Sequence, residues 1–150
     1  MFNLKGKKAL VTGASRGIGS GIALSLAKAG ASVAVNYHSK VEEAEAVVAE
    51  VKKLGVDSFS VQADVSNKEQ VQKMFEGVKN KFGQLNILVN NAGIVYFNPV
   101  DKITEEEWDK VLNINLKGQF FCVQEAIKTM SIGGKIINIS SIASGGVGVG

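Results

Sequence analysis

Two hydrophobic rhythms alternate along this chain. Short apolar runs with β-branched residues give way to longer stretches whose apolar positions recur every three or four residues. The first run, KALVT at 8–12, predicts a strand. After Gly17 the positions Ile18, Ile22, Leu24, Leu26 and Ala27 predict a helix with one buried side, stopped at Gly30. SVAVNY at 32–37 predicts the second strand. Ser39 is placed to cap a helix over 40–54, where Val41, Ala44, Val47, Val48, Val51 and Leu54 form one stripe that Gly55 ends.

VDSFSVQA at 56–63 predicts the third strand. Ser66 and Glu69 have the spacing of a capping box and open a helix carrying Val71, Met74, Phe75, Val78 and Phe82. LNILVN at 85–90 predicts the fourth strand. Thr104 and Glu107 form a second capping box, with three Glu in the first turn where the helix dipole favours them. Trp108, Val111, Leu112, Ile114 and Leu116 continue that helix, expected to reach Met130. KIINIS at 135–140 predicts the fifth strand, before the Gly-rich SIASGGVGVG.

Five alternations of strand and helix predict an α/β fold. The expected architecture is a doubly wound, Rossmann-type parallel sheet in the order 3-2-1-4-5, with helices on both faces. Neither a linker nor a low-complexity region divides the chain. At 150 residues, 45% hydrophobic and 21% charged, it has material for one real core and not for a disordered tail. The lone Cys122 makes no intrachain disulfide. The opening MFNLKGKKALVTG has no long apolar run and no cleavage site, and no stretch approaches the roughly 20 apolar residues of a membrane span. A cytoplasmic chain without signal peptide or membrane segment is expected.

The net charge of +3 is unevenly spread. Lys5, Lys7, Lys8, Arg16, Lys28 and Lys40 all precede the first acid, Glu42. Such a front end suits nucleic acid or a small phosphorylated ligand. The single Arg and sparse aromatic interleaving argue against nucleic acid. The surroundings of Arg16 favour the phosphorylated ligand. Thr12-Gly13-Ala14-Ser15-Arg16-Gly17-Ile18-Gly19 lies between the first strand and the first helix, where glycines permit a tight turn and free helix amides meet an anion. The spacing is G-x-x-x-G-x-G rather than G-x-G-x-x-G.

With TGASRGIG the sequence resembles the short-chain dehydrogenase/reductase family. Further landmarks follow in order: Asp64 in ADV, NNAG at 90–93, Asn115 in NINLKG, and Ser141 after the fifth strand. The resemblance covers essentially the whole chain. It implies a cofactor site built from Gly13, Ser15, Arg16, Gly17, Ile18, Gly19, Asn36, Tyr37, His38, Asp64, Val65, Asn91, Ala92 and Gly93. Asp64 would sit near the adenine, and Asn91 and Gly93 near the ribose and nicotinamide. Asn115 would hold a water in a proton relay, and Ser141 would polarise a carbonyl or hydroxyl. Asn113 competes with Asn115, and Ser140 with Ser141. Taken singly, Asp64 also reads as a helix-approach cap and Asn91 as a turn residue. No metal is implied.

NAD-selective proteins place an acid after the second strand for the ribose 2′-OH. Here the segment reads Asn36-Tyr37-His38-Ser39, and Arg16 offers paired donors to a 2′-phosphate. NADP(H) is therefore expected, with NAD as the alternative and a merely solvated Arg16 as the plain reading. His38 reads as a cofactor-edge or surface residue rather than a base. The substrate class implied is a small ketone or secondary alcohol, such as a 3-oxoacyl thioester, sugar or polyol. The competing reading is a dinucleotide-binding module without catalysis.

The family's Tyr-x-x-x-Lys pair is not present. Tyr37 and Tyr96 are followed four residues later by Val41 and Val100. The expectation is the first part of a longer enzyme, without its later strands, whose parent is a homo-dimer or homo-tetramer. The fifth strand and the 104–130 helix, Phe120, Phe121 and Cys122 included, are expected to leave apolar faces uncovered.

Overall fold

The computed structural model describes residues 3–141. Its strands are β1 (Lys8–Val11), β2 (Ser32–Tyr37), β3 (Ser58–Gln62), β4 (Leu85–Asn90) and β5 (Met130–Asn138). Its α-helices are α1 (Gly17–Lys28), α2 (Val41–Lys53), α3 (Lys68–Phe82), α4 (Glu105–Leu112) and α5 (Gly118–Thr129). The strands form one parallel sheet in the order β3-β2-β1-β4-β5. The order reverses between β1 and β4, which puts the ligand crevice of such a sheet beyond their carboxyl ends.

Period-two alternation along the central strands separates two cores. Ala9, Val11, Val33, Val35 and Val89 face Ala23 and Ala27 of α1 and Ala44, Val48 and Val51 of α2. Leu10, Ala34 and Leu88 face Val71, Met74 and Val78 of α3 and Cys122 and Ala126 of α5. Helices therefore cover both faces, as the alternation of elements predicts.

Several local expectations change. The N-cap of α3 is Asn67, whose side chain accepts from Gln70 N, rather than Ser66. Ser66 is instead drawn to Asp64, donating N–H and O–H to its Oδ1 at 2.9 and 2.7 Å. The cap of α2 is Lys40 rather than Ser39, with no side-chain hydrogen bond. The capping box of α4 forms as predicted between Thr104 and Glu107.

The helix predicted from Thr104 to Met130 runs from Glu105 to Thr129, with a π turn at Asn113–Lys117 inside it. β5 starts at Met130, not at 135, because residues 131–134 form an irregularity against β4: Leu85 pairs with Met130 and Ile87 with Lys135. Asn86 steadies it, donating to Ser131 Oγ at 2.8 Å. Cys122 is buried rather than on an uncovered face, whereas Trp108, Leu112, Leu116, Phe120 and Ile127 are exposed. Among the described residues no helix is long and apolar enough to cross a membrane, and no group of acids, His and Cys is arranged for a metal.

Candidate functional site

At the carboxyl ends of β1 and β4, one threonine joins the two halves of the sheet. Thr12 is 1% exposed. Its Oγ1 accepts from Asn91 N at 2.9 Å and Ala92 N at 3.0 Å. Asn91 returns the contact, its Nδ2 donating to Thr12 O at 2.9 Å and Gly13 O at 3.1 Å. The NNAG segment and the glycine loop are thus clasped from both sides.

Two glycines make that clasp sterically possible. Gly13 turns with a left-handed φ of 61° and lies so close to Ala92 that a Cβ would stand 2.9 Å from its Cα. Gly19 has no special backbone angle but no room: a Cβ would stand 2.5 Å from Gly13 O and from Asn91 Nδ2. Behind them α1 begins at Gly17 with no side-chain cap and no acid in its first turn. Its amides are left to an anion, and the dipole there is positive. The first turn of α4, with Glu105, Glu106 and Glu107, is the opposite case.

A cleft of about 600 Å³ runs over this loop, lined by Gly13, Ser15, Arg16, Gly17, Ile18, Gly19, Asn36, His38, Asp64, Val65, Asn91, Ala92 and Gly93. Thirteen of the fourteen expected cofactor residues therefore line this one cleft. Tyr37 does not. Side chains alternate along β2, so Tyr37 shares the face of Val33 and Val35 and packs against the α1–α2 core.

Asp64 is held by Ser66 on Oδ1, while its Oδ2 lies 3.9 Å from His38 Nε2 across the cleft. Ser39, from the segment read for the ribose, also lines it, as do Lys40, Ala63, Ile94, Lys110 and Ile114, which the sequence did not single out as site residues. Lys40 was legible as the last of the basic front end; Lys110 carried no signal. Arg16, Lys40 and Lys110 against Asp64 give the cleft a positive balance. That volume, the open amides and this charge fit a phosphorylated dinucleotide.

A second cleft, of about 530 Å³, adjoins the first through Asn91, Ala92 and Gly93 and is otherwise lined by Asn115, Gln119, Asn138, Ile139 and Ser140. Asn115 sits in the π turn, and its amide closes on the backbone of one residue: Oδ1 accepts from Ile94 N and Nδ2 donates to Ile94 O, both at 2.8 Å. This contact gives the mid-helix Asn its reason, and single-turn π insertions are common at functional sites. Asn113 lines neither cleft. Both serines are exposed, and Ser140 lines the second cleft while Ser141 follows it.

Comparison with known proteins matches residues 7–149 to the short chain dehydrogenase family. The 3-oxoacyl-(acyl-carrier-protein) reductase FabG of Staphylococcus aureus is 53% identical over 144 residues, which are 95% of this chain and 58% of that protein. A short-chain dehydrogenase from Burkholderia cenocepacia, solved in complex with NADP, superposes with a TM-score of 0.94 at 40% identity, covering 97% of this chain and 60% of the other. A blue fluorescent protein from a metagenomic library, solved with NADPH, gives a TM-score of 0.92 at 38% identity over 97% of this chain and 60% of its own. The chain thus spans about six-tenths of the length of each.

Proposed function

The chain belongs to the short-chain dehydrogenase family, and from that premise we propose that it binds NADP(H) and serves hydride exchange with a small ketone or secondary alcohol. One observation carries the choice of cofactor. In the segment after β2, where an NAD-selective site carries an acid for the ribose 2′-OH, this chain reads Asn36-Tyr37-His38-Ser39 and has none. The cleft wall there is His38, Ser39 and Lys40, with Arg16 on the loop. A 2′-phosphate there meets cations and no opposing carboxylate nearer than Asp64.

The amides of the glycine loop and α1 hold the diphosphate, and Arg16 with Lys40 holds the 2′-phosphate. Asp64 and Val65 flank the adenine. Asn91, Ala92 and Gly93 form the shared wall where the two clefts meet, which suits the nicotinamide. The bound nicotinamide supplies or accepts the hydride. Ser140 or Ser141 orients the substrate oxygen in the second cleft. The Asn115 amide is spent on Ile94, so its main-chain carbonyl is what remains to hold a water.

No Tyr stands four residues before a Lys in these 150 residues. A missing general acid costs about 10²–10⁴-fold in rate, so the chain as given binds cofactor but turns over little substrate. The exposed stripe of Trp108, Leu112, Leu116 and Phe120 supports a homo-dimer or homo-tetramer. A cytoplasmic place accords with this chemistry.

Fluorescence titration with NADPH and NADH tests the reading. NADPH is expected to bind more tightly, and Arg16→Ala to weaken NADPH while sparing NADH. Tighter NADH binding by the unaltered chain would overturn the cofactor choice.

A further inference from the structure

We infer that Asn36 is a positioning residue of the dinucleotide site, one that aims the glycine loop without touching the ligand's phosphates. The inference rests on the reading that the cleft takes NADP(H). Along β2, Asn36 lies on the face opposite Val33 and Val35, at the strand's inner end. Every polar atom of its side chain is committed. Oδ1 accepts from Gly13 N at 3.0 Å. Nδ2 donates toward Val61 O and Ala63 O at 3.2 Å each and Tyr37 O at 3.3 Å. Its main-chain carbonyl accepts from Ala14 N at 2.8 Å.

Two consecutive loop amides are therefore held by a residue of another strand. Gly13 and Ala14 are withdrawn from anion binding, so the phosphates must be met by the amides that follow them. The same carboxamide reaches Ala63, the neighbour of Asp64. It registers the phosphate seat against the adenine seat, two parts of one ligand. Binding a dinucleotide depends on that registration, because a loop free to wander must be ordered at the ligand's expense.

Only a carboxamide of this length does both jobs. Its oxygen must accept from Gly13 while its nitrogen donates to the end of β3. Alanine does neither. An ionised aspartate accepts from Gly13 but turns its second oxygen on the Val61 and Ala63 carbonyls. A protonated aspartate restores the donor.

The experiment compares NADPH with adenosine 2′-monophosphate, which lacks the diphosphate. Asn36→Ala is expected to bind NADPH about tenfold more weakly, as loss of an aligned hydrogen bond does, and the nucleotide within about twofold of the unaltered chain. A residue that merely held the fold together would lower the melting temperature without splitting the two ligands. Equal losses for both ligands, or none in a folded variant, would overturn the inference.

If Asn36→Ala does not fold, Asn36→Asp decides. Its NADPH affinity, relative to the unaltered chain, is expected to recover as pH falls from about 8 to about 5, and a flat ratio refutes the proposal. Amide exchange of Gly13 without ligand separates this inference from the cofactor reading. It should quicken about tenfold in the Ala variant. If the unaltered chain fails to bind NADPH, the cofactor reading falls, and unchanged exchange then removes the positioning role as well.

Discussion

Gly19 and Gly21 stand two residues apart in α1, and alanine should act on them in opposite directions. Helix propensity treats them alike: each replacement gains about 1 kcal/mol. Space does not. At Gly21 a new Cβ meets nothing within 4 Å. At Gly19 it would stand 2.5 Å from Gly13 O and Asn91 Nδ2 and 2.9 Å from Ala14 Cα. Two of these are backbone atoms of a loop fixed by Asn36 and Thr12, so they cannot swing aside. Overpacking of this kind costs about 1–3 kcal/mol. Displacing the Asn91 amide also forfeits its bonds to Thr12 O and Gly13 O, about 1 kcal/mol each.

After the propensity gain, Gly19→Ala should destabilise the chain by about 2–4 kcal/mol. Gly21→Ala should stabilise it by up to about 1 kcal/mol. Urea denaturation followed by circular dichroism measures both against the unaltered protein. If the two variants agree within about 0.5 kcal/mol, the close approach of α1 to the loop is not real, and the steric account of the clasp fails.

Thr12→Val keeps the shape but leaves Asn91 N and Ala92 N without their acceptor. Denaturation should show a loss of about 2–4 kcal/mol, with Thr12→Ser restoring most of it. Gly118→Ala would drive a methyl to 2.8 Å from Val65 Cγ2. It should lower stability by about 1–3 kcal/mol and weaken NADPH binding, because Val65 lines the cleft. Burial pushes the Cys122 thiol up to about 12. The folded chain keeps it neutral while the unfolded chain ionises it near 8.5, so its contribution is intact below about pH 8.5 and fades as pH rises toward 12. Cys122→Ala should therefore show a shallower alkaline loss of stability, and the native thiol should resist iodoacetamide at neutral pH.

Patterns written within a few residues were readable directly. The Thr104–Glu107 box forms because both partners are three residues apart on one turn. The parallel sheet with helices on both faces follows from the alternation of elements, since parallel neighbours need helical crossovers. The glycine loop was legible because its place, after a strand and before a helix, fixes its chemistry. Competing local partners and long-range contacts decided what was not readable. Ser66 has the spacing of a cap, but Asp64, two residues before it, takes both its N–H and its hydroxyl. The π turn inside the 105–129 helix holds Asn115, which grips Ile94, twenty-one residues away. Tyr37 and Asn36 differ by one position, and the pleat of β2 sends one to the core and the other to the loop. Apolarity alone could not say that Cys122 faces α3 while Phe120 faces outward.

The Thr12–Asn91 clasp also has a consequence in time. Its partners lie 79 and 80 residues apart along the chain. A contact that spans more than half the sequence forms only after the intervening loop entropy has been overcome. The local units, β1 with α1 and β2, can gather their helices early, yet none of them contains a finished crevice. Affinity for the dinucleotide should thus emerge with the slow, global phase of refolding. A burst of secondary structure that precedes any quenching of added NADPH would be its kinetic signature.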